Sequence, residues 1–274
     1  MKSITTLMVF CVGALVALGM VILYSAGMNK GELAAQYFIK QLIWCGLGLV
    51  TCTLAATLDY RIIRKLAWVL FAVSVILLVL VLIPDIGHRS GGARRWFRYQ
   101  NVGFQPSEFA KLGLLAVIAW YGERYQHRMR TFWRGLVLPG IPIGIILGLI
   151  FIEPDVGTTI LLAAVSFAML LVAGIKWTHF LPPVLAVAAA LAVFLWHDPM
   201  RSSRIYSWLH LEETKLGKGM QAWQARVALG SGGWDGLGLG NGRQKLGFVP
   251  EHNTDFIFSV IGEDCSCGFL PISN

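Results

Sequence analysis

"LAWVLFAVSVILLVLVLIP", residues 66–84, holds no charged side chain. As a helix rising 1.5 Å per residue it reaches about 28 Å, close to the roughly 30 Å hydrocarbon core of a bilayer. A segment in lipid must pair its own backbone N–H and C=O groups, and a helix does so unaided. Comparable runs occupy 4–27, 38–58, 106–121, 135–153, 155–175 and 180–196. An eighth begins at Phe256 and is broken after Ile261 by Glu263, Asp264 and Pro271. Strands of a membrane barrel alternate in polarity, and these runs do not. The chain is therefore read as all-α. It is a polytopic transmembrane helix bundle with seven full spans, a partial eighth and a large extracytoplasmic loop.

Composition supports this. Of 274 residues, 56% are hydrophobic and 14% charged, and the mean hydropathy is +0.64. A soluble domain carries about 25% charged residues. The apolar mass is spread over many segments, which leaves no separate soluble domain. Residues 1–274 read as one integral membrane domain with elaborate loops at about 85–105 and 197–255. The first run lacks an A-x-A site and is followed by further spans, so it reads as a span and not as a cleaved signal. The net charge of +8 sits in loops between apolar runs. Phospholipid headgroups or an anionic substrate fit that placement, and nucleic acid does not. Cys11, Cys45 and Cys52 lie inside apolar runs, where a thiol is a small hydrophobe. Cys265 and Cys267 form a lone C-x-C with no second pair nearby, a weak metal signal.

Basic residues in short loops set the orientation. With the N-terminus cytoplasmic, the inner loops hold Lys2, Arg61, Arg64, Lys65, Arg124, Arg128, Arg130, Arg134 and Lys176. The short outer loops hold Lys30, Arg89, Arg94, Arg95 and Arg98. Nine against five favours that orientation. Four of the five dissenters come from one segment, "RSGGARRWFR" at 89–98. Four spans separate loops 85–105 and 197–255, so the two share a face. Two polar, glycine-rich loops on one outer face point to a site there.

Several residues on that face could carry chemistry. In "GFQPSEFAKLGLL", Pro106 suits the first turn of a helix. Glu108 and Lys111 are three apart on one helix face at the membrane boundary, where charges are paired or functional. They read either as an ion pair locking the helix end or as the wall of a polar cavity. "IEPDVGTT" places Glu153 and Asp155 at a very short connection, where Asp155 reads as a helix cap, as lining of an outer cavity or as a holder of a cation. Met220, Trp223 and Val227 recur at helical spacing, which predicts a helix within the long loop, resting at the membrane interface. "GSGGWDGLGLGNGRQKLGF" is glycine-rich without the strand–turn–helix setting of a dinucleotide loop, leaving an anion nest or plain turn freedom. In "VPEHNTDFIFSV", Glu251, His252 and Asp255 crowd the start of the last apolar run. Asp255 reads either as a general base or as a helix N-cap.

"GGARRWF…FQPSEFAKL", "EPDVGTT", "GSGGWDGLGLGNGRQKLGFVPE" and "TDFIFSVIGE" resemble the signature segments of the SEDS family (shape, elongation, division and sporulation), the FtsW/RodA/SpoVE group. They occur in the family's order and spacing over nearly the whole chain. "GMVILYSAGM" and "YFIKQLIWCGLGL" resemble the division (FtsW) type more than the elongation (RodA) type. The resemblance implies a peptidoglycan glycosyltransferase that polymerises lipid II, an undecaprenyl-pyrophosphate disaccharide pentapeptide. It implies work at the outer face of the bacterial inner membrane, about ten spans, and a class B penicillin-binding transpeptidase among divisome or elongasome partners. Asp255 matches the family's catalytic aspartate. Arg94, Arg95 and Trp96 match its GARRW motif, and Glu108 and Lys111 its QPSEFAK motif. Arg98, Lys245 and Glu251 complete the expected substrate-binding set, with Arg243 in reserve.

The implied chemistry needs a base for a sugar hydroxyl and positive charge for a departing pyrophosphate, from arginines or a divalent cation such as Mg or Mn. No other cofactor is implied, and no metal ligands are assigned. Two departures stand out. Asn253 occupies the family's usual histidine position, with His252 one earlier. "IGEDCSCGFLPISN" leaves the IGEELG pattern, so the chain reads as incomplete at its C-terminus. Transport of lipid II by a flippase, and an inactive scaffold, are the alternative readings. Charges gathered at outer helix ends, and not through the midplane, argue against transport.

Overall fold

The structure is a computed structural model describing residues 2–27, 32–84, 86–90, 93–99, 102–217, 219–233, 236–238, 242 and 256–264. Each predicted full span is met by a helix: α1 (Lys2–Gly27), α2 (Glu32–Thr57), α3 (Tyr60–Leu82), α4 (Pro106–Tyr125), α5 (Leu138–Ile152), α6 (Val156–Val172) and α7 (Trp177–His197). Among the described residues five segments are long and apolar enough to cross a membrane: Ser3–Ser25, Phe38–Thr57, Tyr60–Leu82, Trp133–Ile152 and Trp177–His197. α6 has 17 residues, and α4 carries Glu108, Lys111, Glu123 and Arg124. Large apolar side chains such as Phe10, Trp44 and Leu49 are exposed. Lipid would cover them at no cost to the backbone, whose polar groups are paired inside each helix.

Helices and apolar runs differ at their ends for local reasons. The run at 66–84 sits in a helix that starts at Tyr60, because Asp59 caps it by accepting from the Arg61 N–H at 2.9 Å. Arg61, Arg64 and Lys65 are thus helical and not loop. Before α5, Trp133–Val137 is π-helical. Pro139 has no N–H for the carbonyl four residues back. The preceding turn widens, and the Leu138 N–H reaches the Trp133 carbonyl.

The chain divides into two compact units, 57–191 and 1–56 with 192–274. In the first, α3 and α4 pack side by side. Gly113 makes this possible, since a Cβ there would collide with the Ser74 hydroxyl and come within 2.9 Å of the Leu70 carbonyl oxygen. Small residues at such crossings let helix backbones approach in membranes. Around this pair Phe71, Leu78, Leu114, Ile118, Ile146, Ile150 and Leu162 form a buried core.

The segment read as an elaborate loop at 85–105 has structure of its own. It holds a three-stranded antiparallel sheet: β1 (His88–Ser90), β2 (Ala93–Tyr99) and β3 (Val102–Phe104), in the order β1-β2-β3. The all-α bundle therefore carries a small sheet next to α4.

In the second unit α10 (Ile257–Asp264) packs against α1 and α9 (Met220–Ser231). Ile22 and Val260 are its buried apolar centre. α9 is the helix that the Met220, Trp223 and Val227 spacing predicts. α8 (Pro199–Leu209) precedes it, so the long loop read at 197–255 is partly helical. Glu263 and Asp264, which spoil the eighth run as a span, are buried among protein groups.

Candidate functional site

The sheet-bearing end of α4 collects the charged motifs of the 57–191 unit. Pro106 takes the first helical position, and the Glu108 carboxylate lies 2.8 Å from the Lys111 ammonium on the first turns. The predicted i,i+3 pair is therefore made. Glu108 remains largely exposed and Lys111 less so, which leaves the carboxylate open to a second partner.

Strand β2 sorts the arginines. Side chains alternate across a strand, so Trp96 and Arg98 share one face and Phe97 lies on the other; the pairing with β1 steps from Arg94 to Trp96 and leaves Arg95 as an extra, bulged residue. The pairing of Arg98 with Gly103 and of Phe97 with Phe104 fixes the register. A Cβ at Gly103 would lie 3.1 Å from the Trp96 ring, so the indole rests on that glycine. Phe97 and Phe104 stack on the opposite face, with ring centroids 6.4 Å apart. Arg94 is half-buried and Arg98 exposed.

Arg95 has a task inside the chain. Its Nε donates to the Glu153 carbonyl at 3.0 Å, and its Nη2 donates to the Pro154 carbonyl at 2.7 Å. Its Nη1 lies 3.9 Å from Asp155 Oδ2. The guanidinium fork expected to face an anionic substrate thus clasps the connection between α5 and α6. The planar fork can serve two carbonyls at once, which a lysine ammonium does less well. Arg95 and its carbonyl partners are 58 and 59 residues apart, and no spacing rule links them.

The connection itself lies beyond the end of the span at Ile152. Asp155 caps α6, its carboxylate accepting from the Thr158 N–H at 3.2 Å and the Thr158 hydroxyl at 2.9 Å. The cap that the sequence offered at Asp155 is therefore made. Glu153 differs sharply. It is 1% exposed, and among the described residues neither carboxylate oxygen has a hydrogen-bond partner. Burial, reinforced by the negative charge of Asp155 and opposed by Arg95, pushes its carboxyl up to about 8. Near neutral pH this group holds its proton. The sequence placed Glu153 at this connection without indicating its burial.

In the other unit, a buried polar knot joins α1, α10 and the glycine-rich segment. Ser25 Oγ donates to Asp264 Oδ2 at 2.7 Å, and the Gly242 N–H donates to Asp264 Oδ1 at 2.9 Å. The Leu237 and Gly238 N–H groups donate to the carbonyls of Glu263 and Asp264 at 2.9 and 3.0 Å. A Cβ at Gly242 would lie 2.5 Å from Asp264 Oδ1 and 2.7 Å from Glu263 Oε2. At Gly242 the glycine serves this close approach. Gly233, Gly236 and Gly238 adopt positive φ, so turn freedom accounts for part of the run. Lys245, Glu251 and Asp255, with Arg243, His252 and Asn253, lie outside the described residues, as does the Cys265/Cys267 pair. Among the described residues no three His, Cys, Asp or Glu side chains converge as a metal site.

Residues 5–272 match the family model for cell cycle proteins of the FtsW, RodA and SpoVE group. A Trichlorobacter lovleyi protein named "Probable peptidoglycan glycosyltransferase FtsW" is 39% identical over 94% of this chain and 68% of its own length. A Coxiella burnetii protein of the same name is 34% identical over 93% of this chain and 70% of its own length. The chain thus spans about two thirds of these relatives. Among solved structures, a chain of a peptidoglycan synthase complex that coordinates polymerization and crosslinking superposes with a TM-score of 0.71. It is 30% identical, and the match covers 94% of this chain and 70% of that one.

Proposed function

Because this chain belongs to the FtsW/RodA/SpoVE family of multi-pass membrane proteins, we propose that it is a peptidoglycan glycosyltransferase of the division type, polymerising lipid II into glycan strands. The observation that carries this reading is the continuous match, nearly end to end, to relatives named for that activity. The sheet-bearing end of the bundle is assigned to the outer face of the bacterial inner membrane, with the N-terminus cytoplasmic. The basic-residue count and the parity of the spans support that orientation.

In the proposed reaction a sugar hydroxyl of one lipid-linked substrate attacks the anomeric carbon of another. A glycosidic C–O bond forms, and the bond from that carbon to the pyrophosphate oxygen breaks. The hydroxyl proton passes to Asp255, and undecaprenyl pyrophosphate leaves. Arg94 and Arg98 are assigned to the pyrophosphate, with Trp96 beside them for an apolar or sugar face. A divalent cation bound with the pyrophosphate would add to the same positive charge. Arg95 is a positioning residue, because its donors are engaged with the α5–α6 connection. Glu108, Lys111, Lys245 and Glu251 are assigned to holding the sugar and peptide portions. A class B penicillin-binding transpeptidase is the proposed partner, a reading supported by the likeness to a synthase that couples polymerization with crosslinking.

The test is reconstitution of the chain with a class B transpeptidase and labelled lipid II. Asp255→Ala is expected to cut polymer formation by about 10²–10⁴-fold, the usual worth of a general base. Undiminished polymer in the variant would sink the base assignment. Lipid II translocation without polymer in the parent would replace the transferase reading by transport.

A further inference from the structure

At the end of α4 and α5 remote from the sheet lies a cleft of about 580 Å³, which no part of the proposed reaction uses. α4 is 20 residues long, so its two ends are about 30 Å apart. The walls are apolar and aromatic: Trp68 and Phe71 from α3, Trp120 from α4, and Ile141 and Ile145 from α5. Trp68 meets Phe71 and Trp120 edge-on at 5.8 and 5.7 Å between ring centroids, which holds the aromatic wall in place. Trp68, Ile141 and Ile145 are nonetheless exposed, between 42% and 54%. The volume is within the roughly 300–1,000 Å³ of sites that take small amphiphiles.

The rim is cationic. Arg128 and Arg134 line the cleft where α4 gives way to α5, both exposed. Among the described residues neither guanidinium has a carboxylate partner. The nearby acid, Glu123, is taken by Arg64 at 2.6 Å. An apolar trough ending in two uncompensated guanidinium groups is complementary to one ligand chemistry, an alkyl chain bearing a phosphate. Arginine suits that phosphate because its fork matches the oxygens in pairs. Aromatic rings beside the rim suit the level of the headgroups.

We propose that this cleft binds an anionic glycerophospholipid of the leaflet at that end of the bundle. One acyl chain lies against Trp68, Trp120 and Ile145, and Arg128 and Arg134 hold the phosphate. The site is distinct from the sheet-bearing end. By the proposed orientation it faces the cytoplasmic leaflet, where anionic lipid is abundant.

The test uses the full chain in neutral detergent, titrated with phosphatidylglycerol brominated on one acyl chain. The chain has ten tryptophans, so the readout is the saturable quenching that disappears in Trp68→Phe/Trp120→Phe. Arg128→Gln/Arg134→Gln is expected to weaken binding about 25-fold, about five-fold for each arginine. Ile141→Phe, which fills the trough and leaves both arginines, is expected to weaken it at least about five-fold by the same scale. Equal quenching by brominated phosphatidylcholine would overturn the proposal, as would unchanged binding in the double arginine variant. Displacement by undecaprenyl phosphate at lower concentration than by unbrominated phosphatidylglycerol would overturn the assignment to a glycerophospholipid.

Discussion

Replacing Glu153 by glutamine sets the buried carboxyl against its own titration. In the fold the group gives up its proton near pH 8, against 4.5 for a free glutamate side chain. Between those values the folded chain holds a proton that the unfolded chain has lost. Stability therefore falls as pH rises, by about 1.4 kcal/mol per pH unit. The group's contribution is complete below pH 4.5 and is lost as pH rises through the folded value near 8. Glutamine has the shape of the protonated acid and does not titrate. From about pH 5 to about pH 8 the Glu153→Gln chain should gain about 4 kcal/mol on its parent. For a chain of this size about 1 kcal/mol moves Tm by roughly 2–4 °C. The two Tm curves should separate by about 3–6 °C per pH unit in that window. Tryptophan fluorescence during heating in detergent, at a series of buffered pH values, reads this directly. Parallel curves would refute the reasoning, and so would a variant less stable than its parent at about pH 8. Either result would mean that the Glu153 carboxylate is ionised and paired in the folded chain.

Arg95→Lys keeps the charge but cannot serve the Glu153 and Pro154 carbonyls together. It should cost about 2 kcal/mol in thermal unfolding and lower polymer yield, whereas loss of polymer with unchanged stability would return Arg95 to the substrate. Gly113→Ala should push α3 from α4 at Ser74 and Leu70, at about 1–3 kcal/mol; an unchanged Tm would show that the two helices are not in this close contact.

The fold was largely legible because a bilayer leaves little choice. Among the described residues the apolar runs located α1 to α7. Pro106 marked the start of α4, the three-residue spacing of Glu108 and Lys111 predicted their ion pair, and Met220, Trp223 and Val227 predicted α9. Boundaries set by single polar contacts were less visible. Asp59 extends α3 back through Arg61 and Lys65, although a hydropathy reading assigns those charges to a loop. The sheet at 88–104 escaped because "ARRWFRY" does not alternate apolar with polar. Its strands are held by backbone pairing and by Phe97 on Phe104. Long-range polar contacts carry no local signature. Nothing around "GGARRWF" announces that Arg95 sits at a bulge and holds residues 153–154 while Arg98 shares a face with Trp96. The family resemblance named these residues as a group, and the geometry divides their tasks.

The knot at Asp264 has a consequence for the order of assembly. Ser25 and Asp264 are 239 residues apart in sequence. At about 5–20 residues per second of synthesis, tens of seconds separate their emergence from the ribosome. The 57–191 unit is one uninterrupted stretch and can close during that interval. The other unit is split around it in the chain, so α1 must wait in the membrane for α10. Until then the Ser25 hydroxyl lacks Asp264 as an acceptor, and a helper protein or lipid would find α1 open to capture. A ribosome-stalled chain ending before residue 257 should accordingly form disulfide crosslinks between cysteines placed across α3 and α4, while a cysteine on α1 finds no partner on α10.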